Sequence, residues 1–140
     1  MSRSGYVEDY DCDYPEWAMI RYRGAVASAI RGARGQALLR ETLAALDAMP
    51  EKKLIARELE ADGCVCTLGA VGKARGIDLT VLDPEDPETV AGKFNIATAL
   101  AREIVYENDE CGLWKETPEA RFDRMRRWVV SQIIEPGATS

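Results

Sequence analysis

The chain contains no histidine. That removes the commonest general base and the commonest metal ligand together. Nor is there any run approaching the roughly 20 consecutive apolar residues that a membrane-spanning helix requires, and the opening MSRSGYVEDYDCDYPEW lacks the apolar core of a secretory signal. No Gly-x-Gly-x-x-Gly run occurs, and Gly69, Gly72 and Gly76 match neither the spacing nor the lysine position of a phosphate-binding loop. Internal repeats and low-complexity tracts are also missing. These absences lead to the expectation of a non-enzymatic cytoplasmic protein with no cofactor, no metal and no membrane partner.

What the chain does have is an ordinary globular composition, 46% apolar and 30% charged over 140 residues, enough for one domain with a real core. Its four cysteines are expected to stay reduced and to behave as small apolar residues. The net charge of −6 argues against a general nucleic-acid binder, whose affinity comes from cations displacing counterions from phosphates. The charge is unevenly spread. Residues 1–16 carry Glu8, Asp9, Asp11, Asp13 and Glu16 against Arg3 alone, whereas 17–40 carry Arg21, Arg23, Arg31, Arg34 and Arg40 with no acid.

Residues 1–16 have no helical period and read as an acidic flexible arm, mobile or peripherally docked; 17–135 read as a single globular helical domain, and 136–140 as a flexible tail. From Trp17 to about Ile30, Met19, Tyr22, Val26 and Ile30 recur at helical spacing beside small residues that admit close backbone approach. Gly32 and Gly35 interrupt that helix, and Leu39, Leu43, Leu46 and Met49 form the stripe of a second. Residues 53–60 fit a continuing helix, but Asp62-Gly63 followed by Cys64-Val65-Cys66-Thr67 favours a small β-hairpin near residues 54–67. A short helix over 68–75 should end at Gly76, and Asp86-Pro87 should open another. Ile96, Leu100 and Ile104 belong to a helix expected to stop near Asn108, and Thr117-Pro118-Glu119 starts a closing helix through Phe122, Met125, Val129 and Ile133. The expected class is mainly α (α+β), a compact bundle of about five helices with one hairpin.

Several residues invite chemistry, each beside a plainer reading. Cys12, Cys64, Cys66 and Cys111 could offer four thiolates to zinc, but Cys12 and Cys111 stand alone rather than in paired knuckles, so buried thiols are the simpler reading. A redox role for Cys64 and Cys66 needs cationic neighbours, for which Lys73 and Arg75 are the nearest in sequence. Asn108, Asp109 and Glu110 could hold a divalent cation, yet an Asn ending the helix and an Asp bonding the next loop account for the pair. The arginines at 21, 23, 31, 34 and 40 are the candidate partner or nucleic-acid contacts, with Trp17 and Tyr22 available to stack. The competing reading is a solvated face, paired with acids elsewhere or covered by the acidic arm.

The ordered set Asp62-Gly63-Cys64-Val65-Cys66-Thr67-Leu68-Gly69-Ala70-Val71, then Ile104-Val105-Tyr106-Glu107-Asn108-Asp109-Glu110, then a capped final helix, resembles small phage and prophage proteins. In those, a Cys-x-Leu-Gly-Ala or Cys-Cys-Leu-Gly-Val segment precedes a helix ending in Asn-Asp. Cys66, Leu68, Gly69, Asn108 and Asp109 are the matching positions, and Val65 departs from the doubled-cysteine version. Arg31-Gly32-Ala33-Arg34-Gly35-Gln36 also looks like hypothetical prophage proteins of proteobacteria. The group has no settled activity, so the resemblance implies origin and a bacterial host cell, not chemistry. The leading expectation is an accessory protein that binds a host protein, in a counter-defence or host-takeover role. The alternatives are a nucleic-acid-binding regulator using the Arg21–Arg40 face, and an enzyme built on Cys66 and Asp109, which must then line one pocket. The small-residue face of the first helix leaves both a homodimer and a monomer open.

Overall fold

The computed structural model describes residues 3–4, 16–112 and 115–135. They form α1 (Glu16–Arg31), α2 (Ala33–Ala48), β1 (Glu60–Ala61), β2 (Cys64–Val65), α3 (Thr67–Ala74), α4 (Pro87–Phe94), α5 (Thr98–Glu110) and α6 (Pro118–Gln132), with a 3-10 turn at Leu79–Val81. The mainly helical class with one small antiparallel hairpin is what forms. Among the described residues no helix is long and apolar enough to cross a membrane.

Local chemistry sets most boundaries. The Asp86 side chain accepts from the Thr89 amide and Pro87 opens α4; the Thr117 hydroxyl accepts from the Ala120 amide and Pro118 opens α6. The break between α1 and α2 is narrower than the glycine pattern suggests, because Gly32 alone leaves the helix and Gly35 lies inside α2. The reason is close packing. A Cβ at Gly35 would run into the Ala29 carbonyl oxygen, so glycine there lets the start of α2 lie against the end of α1.

The two-residue strands pair Glu60 with Val65 and Ala61 with Cys64, and Asp62 and Gly63 both have positive φ, as a tight two-residue hairpin turn requires. The segment before β1 is not helical. Its backbone bonds go elsewhere: Leu54 N–H to the Pro118 carbonyl, Ile55 N–H to Val65, and Cys66 N–H to Leu59. Leu54 and Leu59 are buried by this docking, so the loop is part of the core.

α2 packs on α3 and α6, α4 on α5, and α1 on α5 and α2. Leu38, Leu46, Leu68, Phe94, Leu100 and Met125 meet in one core. Asn95, with positive φ, closes α4 and turns the chain so that Ile96 is buried before α5 begins.

One expectation is corrected. α5 does not stop at Asn108 in a left-handed cap; it runs to Glu110, and Asn108 is a buried residue within it. Of residues 1–16, read as a mobile or peripherally docked arm, Arg3 and Ser4 are buried against the domain and Glu16 belongs to α1. Most of the arm, and the tail over 136–140, lie outside the described residues.

Candidate functional site: a buried polar socket and two grooves

The positions singled out in two distant parts of the sequence meet at one place. Cys66 is the N-cap of α3, and its sulfur accepts from the Gly69 amide at 3.4 Å. Gly69 is required for contact, because a Cβ there would collide with the Leu59 carbonyl oxygen. Thr67 follows, and both its amide (3.1 Å) and its hydroxyl (2.8 Å) donate to Asn108 Oδ1. Asn108 Nδ2 donates onward to the Ile55 carbonyl (3.0 Å) and to Asp109 Oδ1 (2.8 Å). One buried amide thus ties α5 to α3 and to the loop before β1.

Asp109 continues the network. Its Oδ1 accepts from the Arg57 amide at 3.0 Å, and Arg57 takes positive φ to present that N–H. Its two oxygens then receive Arg3, Nε at 2.6 Å and Nη2 at 2.8 Å, with side-chain exposures of 2% for Arg3 and 7% for Asp109. Arg3 Nη1 also lies 3.7 Å from the Cys66 sulfur. Burial works to raise the Asp109 carboxyl, but Arg3, the Arg57 amide and Asn108 outweigh it and hold the group below the usual carboxylate range. Burial likewise works against the Arg3 charge, and the Cys66 sulfur and Asp109 carboxylate more than offset it. Beside this pair, Ser4 Oγ donates to Glu110 Oε2 (2.7 Å), and Arg102 Nε donates to the Ser4 carbonyl (2.8 Å).

Cys66, Gly69, Asn108 and Asp109 are therefore brought together, and Arg3 is the member that sequence reasoning missed. Its one signal was being the sole cation among the acids of 1–16. Cys66 and Asp109 sit on either side of one guanidinium, yet Cys66 is 1% exposed with its sulfur held by an amide. With Arg3 docked, Cys66 is buried and, among the described residues, lines no open pocket with Asp109. Among the described residues no group of three or more Cys, Asp or Glu is arranged to hold a metal ion; Cys12 lies outside them, and Cys64, Cys66 and Cys111 are free thiols.

The five arginines do not share one face, although Arg23 and Arg31 line one groove between α1, α5 and α6. Arg21 and Arg23 on α1, two positions apart at about 100° per residue, point to nearly opposite sides of the helix. Arg34 and Arg40, six apart on α2, also diverge. Arg23 lies 3.9 Å from the buried carboxylate of Glu103, Arg34 donates to Asn95 Oδ1, and Arg40 donates to the Ile134 carbonyl. All five side chains are exposed, Arg31 at the end of α1 among them.

Among the open grooves formed by the described residues, two differ in their lining. The larger, about 760 Å³, lies between the end of α2, the hairpin and α3; its walls are small or apolar, including Ala45, Ala48, Met49, Val65 and Ala74. Lys53, Lys73, Glu51 and Asp62 line it as well. The second, about 530 Å³, runs between α1, α5 and α6 and carries Arg23, Arg31, Glu103, Glu107 and Trp128. The first suits an inserted apolar ridge, the second a polar or charged group. In comparisons with known proteins, no family model matches the chain, and no curated protein or solved structure is detectably similar to it.

Proposed function

We propose that the protein acts without catalysing a reaction, by binding another protein through the groove between α2, the hairpin and α3. The observation that carries this reading is the groove itself, an open trough in which Ala45, Ala48, Met49, Val65, Ala70 and Ala74 stand beside Glu51, Lys53, Asp62 and Lys73. Small apolar side chains receive a partner's projecting side chains closely, and the two acids and two lysines beside them offer charged contacts. The balance of charge supports a protein over a nucleic acid: the chain carries −6 overall, which repels phosphate backbones and favours a partner with a neutral or cationic face. By its resemblance to phage and prophage proteins, the partner is a bacterial host protein, met in the host cytoplasm, and the role is that of an accessory factor in counter-defence or host takeover.

The test is capture from host lysate of a protein that survives nuclease, compared between the wild type and Ala48→Glu or Ala74→Glu. Both alanines are exposed in the groove, so a carboxylate there leaves the core intact and meets the partner instead. Retention by the wild type and loss by both variants support the reading. Equal capture by all three removes the groove from it. Recovery only of nuclease-sensitive material, lost with Arg31→Ala plus Arg34→Ala and weakening with salt, would move the function to the arginines.

A further inference from the structure

Arg3 is held differently from an ordinary surface arginine. Its guanidinium meets a carboxylate already oriented by the domain, since the Arg57 amide and Asn108 Nδ2 both donate to Asp109 Oδ1. The fork of Nε and Nη2 matches the two carboxylate oxygens, and Nη1 reaches the Cys66 sulfur. Planar bidentate pairing of this kind selects arginine over lysine. The next residue is read as well: Arg102 takes the Ser4 carbonyl and Glu110 the Ser4 hydroxyl. Every one of these partners belongs to residues 57–110, and both recognised residues come from the start of the chain.

We propose that Asp109, Cys66, Arg102 and Glu110 form a recognition site for an Arg-Ser peptide, occupied by the chain's own Arg3 and Ser4 and able to take the same dipeptide from another chain. The site reads a guanidinium, one backbone carbonyl and one hydroxyl, a set that defines a short linear motif. The chain's own segment is a tethered ligand. It competes at the high effective concentration that a tether provides, so it keeps the site closed until it lets go. Undocking also takes the guanidinium away from Cys66, which makes that thiol a built-in reporter.

The experiment titrates a fluorescent peptide of residues 1–6 into the full chain carrying Arg3→Ala and Ser4→Ala. Saturable binding is expected to the variant and, because the tethered segment competes, binding weaker by roughly tenfold or more to the wild type. It should be lost when the peptide carries lysine in place of arginine, or when Asp109→Ala is added to a variant that remains folded. Equal binding to all forms, or none to a folded Arg3→Ala/Ser4→Ala chain, would overturn the proposal. Should that variant not fold, the wild-type site is read through Cys66 in a chain with Cys12, Cys64 and Cys111 changed to serine. Local undocking predicts alkylation in native buffer that is insensitive to low urea and slowed by the added peptide. Alkylation that rises with urea as steeply as global unfolding, and that the peptide does not slow, would show Arg3 and Ser4 to be fixed parts of the core and end the idea.

Discussion

Arg3 and Asp109 are 106 positions apart in sequence and are joined by two hydrogen bonds, 2.6 and 2.8 Å long, with both side chains nearly sealed from water. Such a pair gains little over two apolar residues, but losing one member strands the other's charge in a low-dielectric site. Asp109→Asn should therefore cost about 3–5 kcal/mol, read from the urea midpoint at constant slope. An unchanged midpoint would mean that the first residues do not dock on the domain in solution.

The same carboxylate gives a pH signature. Its folded pKa lies below the ordinary value, so its contribution is complete above the unfolded value of about 3.9 and is lost as pH falls through the folded one. The gap in stability between wild type and Asp109→Asn is expected to be flat near neutrality and to close in acid. A gap that widened on acidification would contradict the network described for Asp109.

Gly69→Ala tests the docking of the loop before β1 on α3. The new Cβ meets the Leu59 carbonyl oxygen, which is backbone and also accepts the Cys66 amide, so neither side yields easily. A loss of about 1–3 kcal/mol is expected. Gly24→Ala is the control, since nothing lies within 4 Å of its added Cβ and alanine favours helix; it should be neutral or stabilising.

Asn108→Ala removes the acceptor of both the Thr67 amide and the Thr67 hydroxyl and the donor to Ile55. Leaving a buried donor unmatched costs about 1–3 kcal/mol, and the Thr67 amide should lose its protection from hydrogen exchange before the rest of α3 does. Uniform loss of protection across the domain would argue that Asn108 serves only global packing.

Where a signal is local, the sequence was legible. Asp86-Pro87 and Thr117-Pro118 start helices through bonds within three residues, and Asp62-Gly63 turns a hairpin through its own backbone preferences. Asn108 is the opposite case. A helix-ending Asn is the economical reading of one segment, whereas its actual partners, Thr67 and Ile55, arrive only when α3 and the loop are packed. Gly35 reads as a helix breaker in sequence because its contact with Ala29 lies between helices, and nothing near Arg3 in sequence marks a buried cation. Four of the five motif positions that carried the resemblance, Cys66, Gly69, Asn108 and Asp109, turn out to serve one network that holds α3, α5 and the intervening loop together.

Cys111 and Glu107 provide the remaining prediction. Cys111 is exposed as a residue, yet burial of its sulfur, followed by the negative charge of Glu107, pushes the thiol up to about 11. Glu107 is itself raised, by burial first and by the neighbouring Glu103 charge. A carboxyl whose folded pKa is raised costs nothing while protonated and destabilises the fold as pH rises from its unfolded value through its folded one. Glu107→Gln should thus raise stability at pH 7, with the gain fading in acid, and should move the alkylation midpoint of Cys111 downward from about 11. The two readouts are coupled through one charge. A midpoint that stayed high in a variant stabilised at neutral pH would assign the thiol's shift to burial alone.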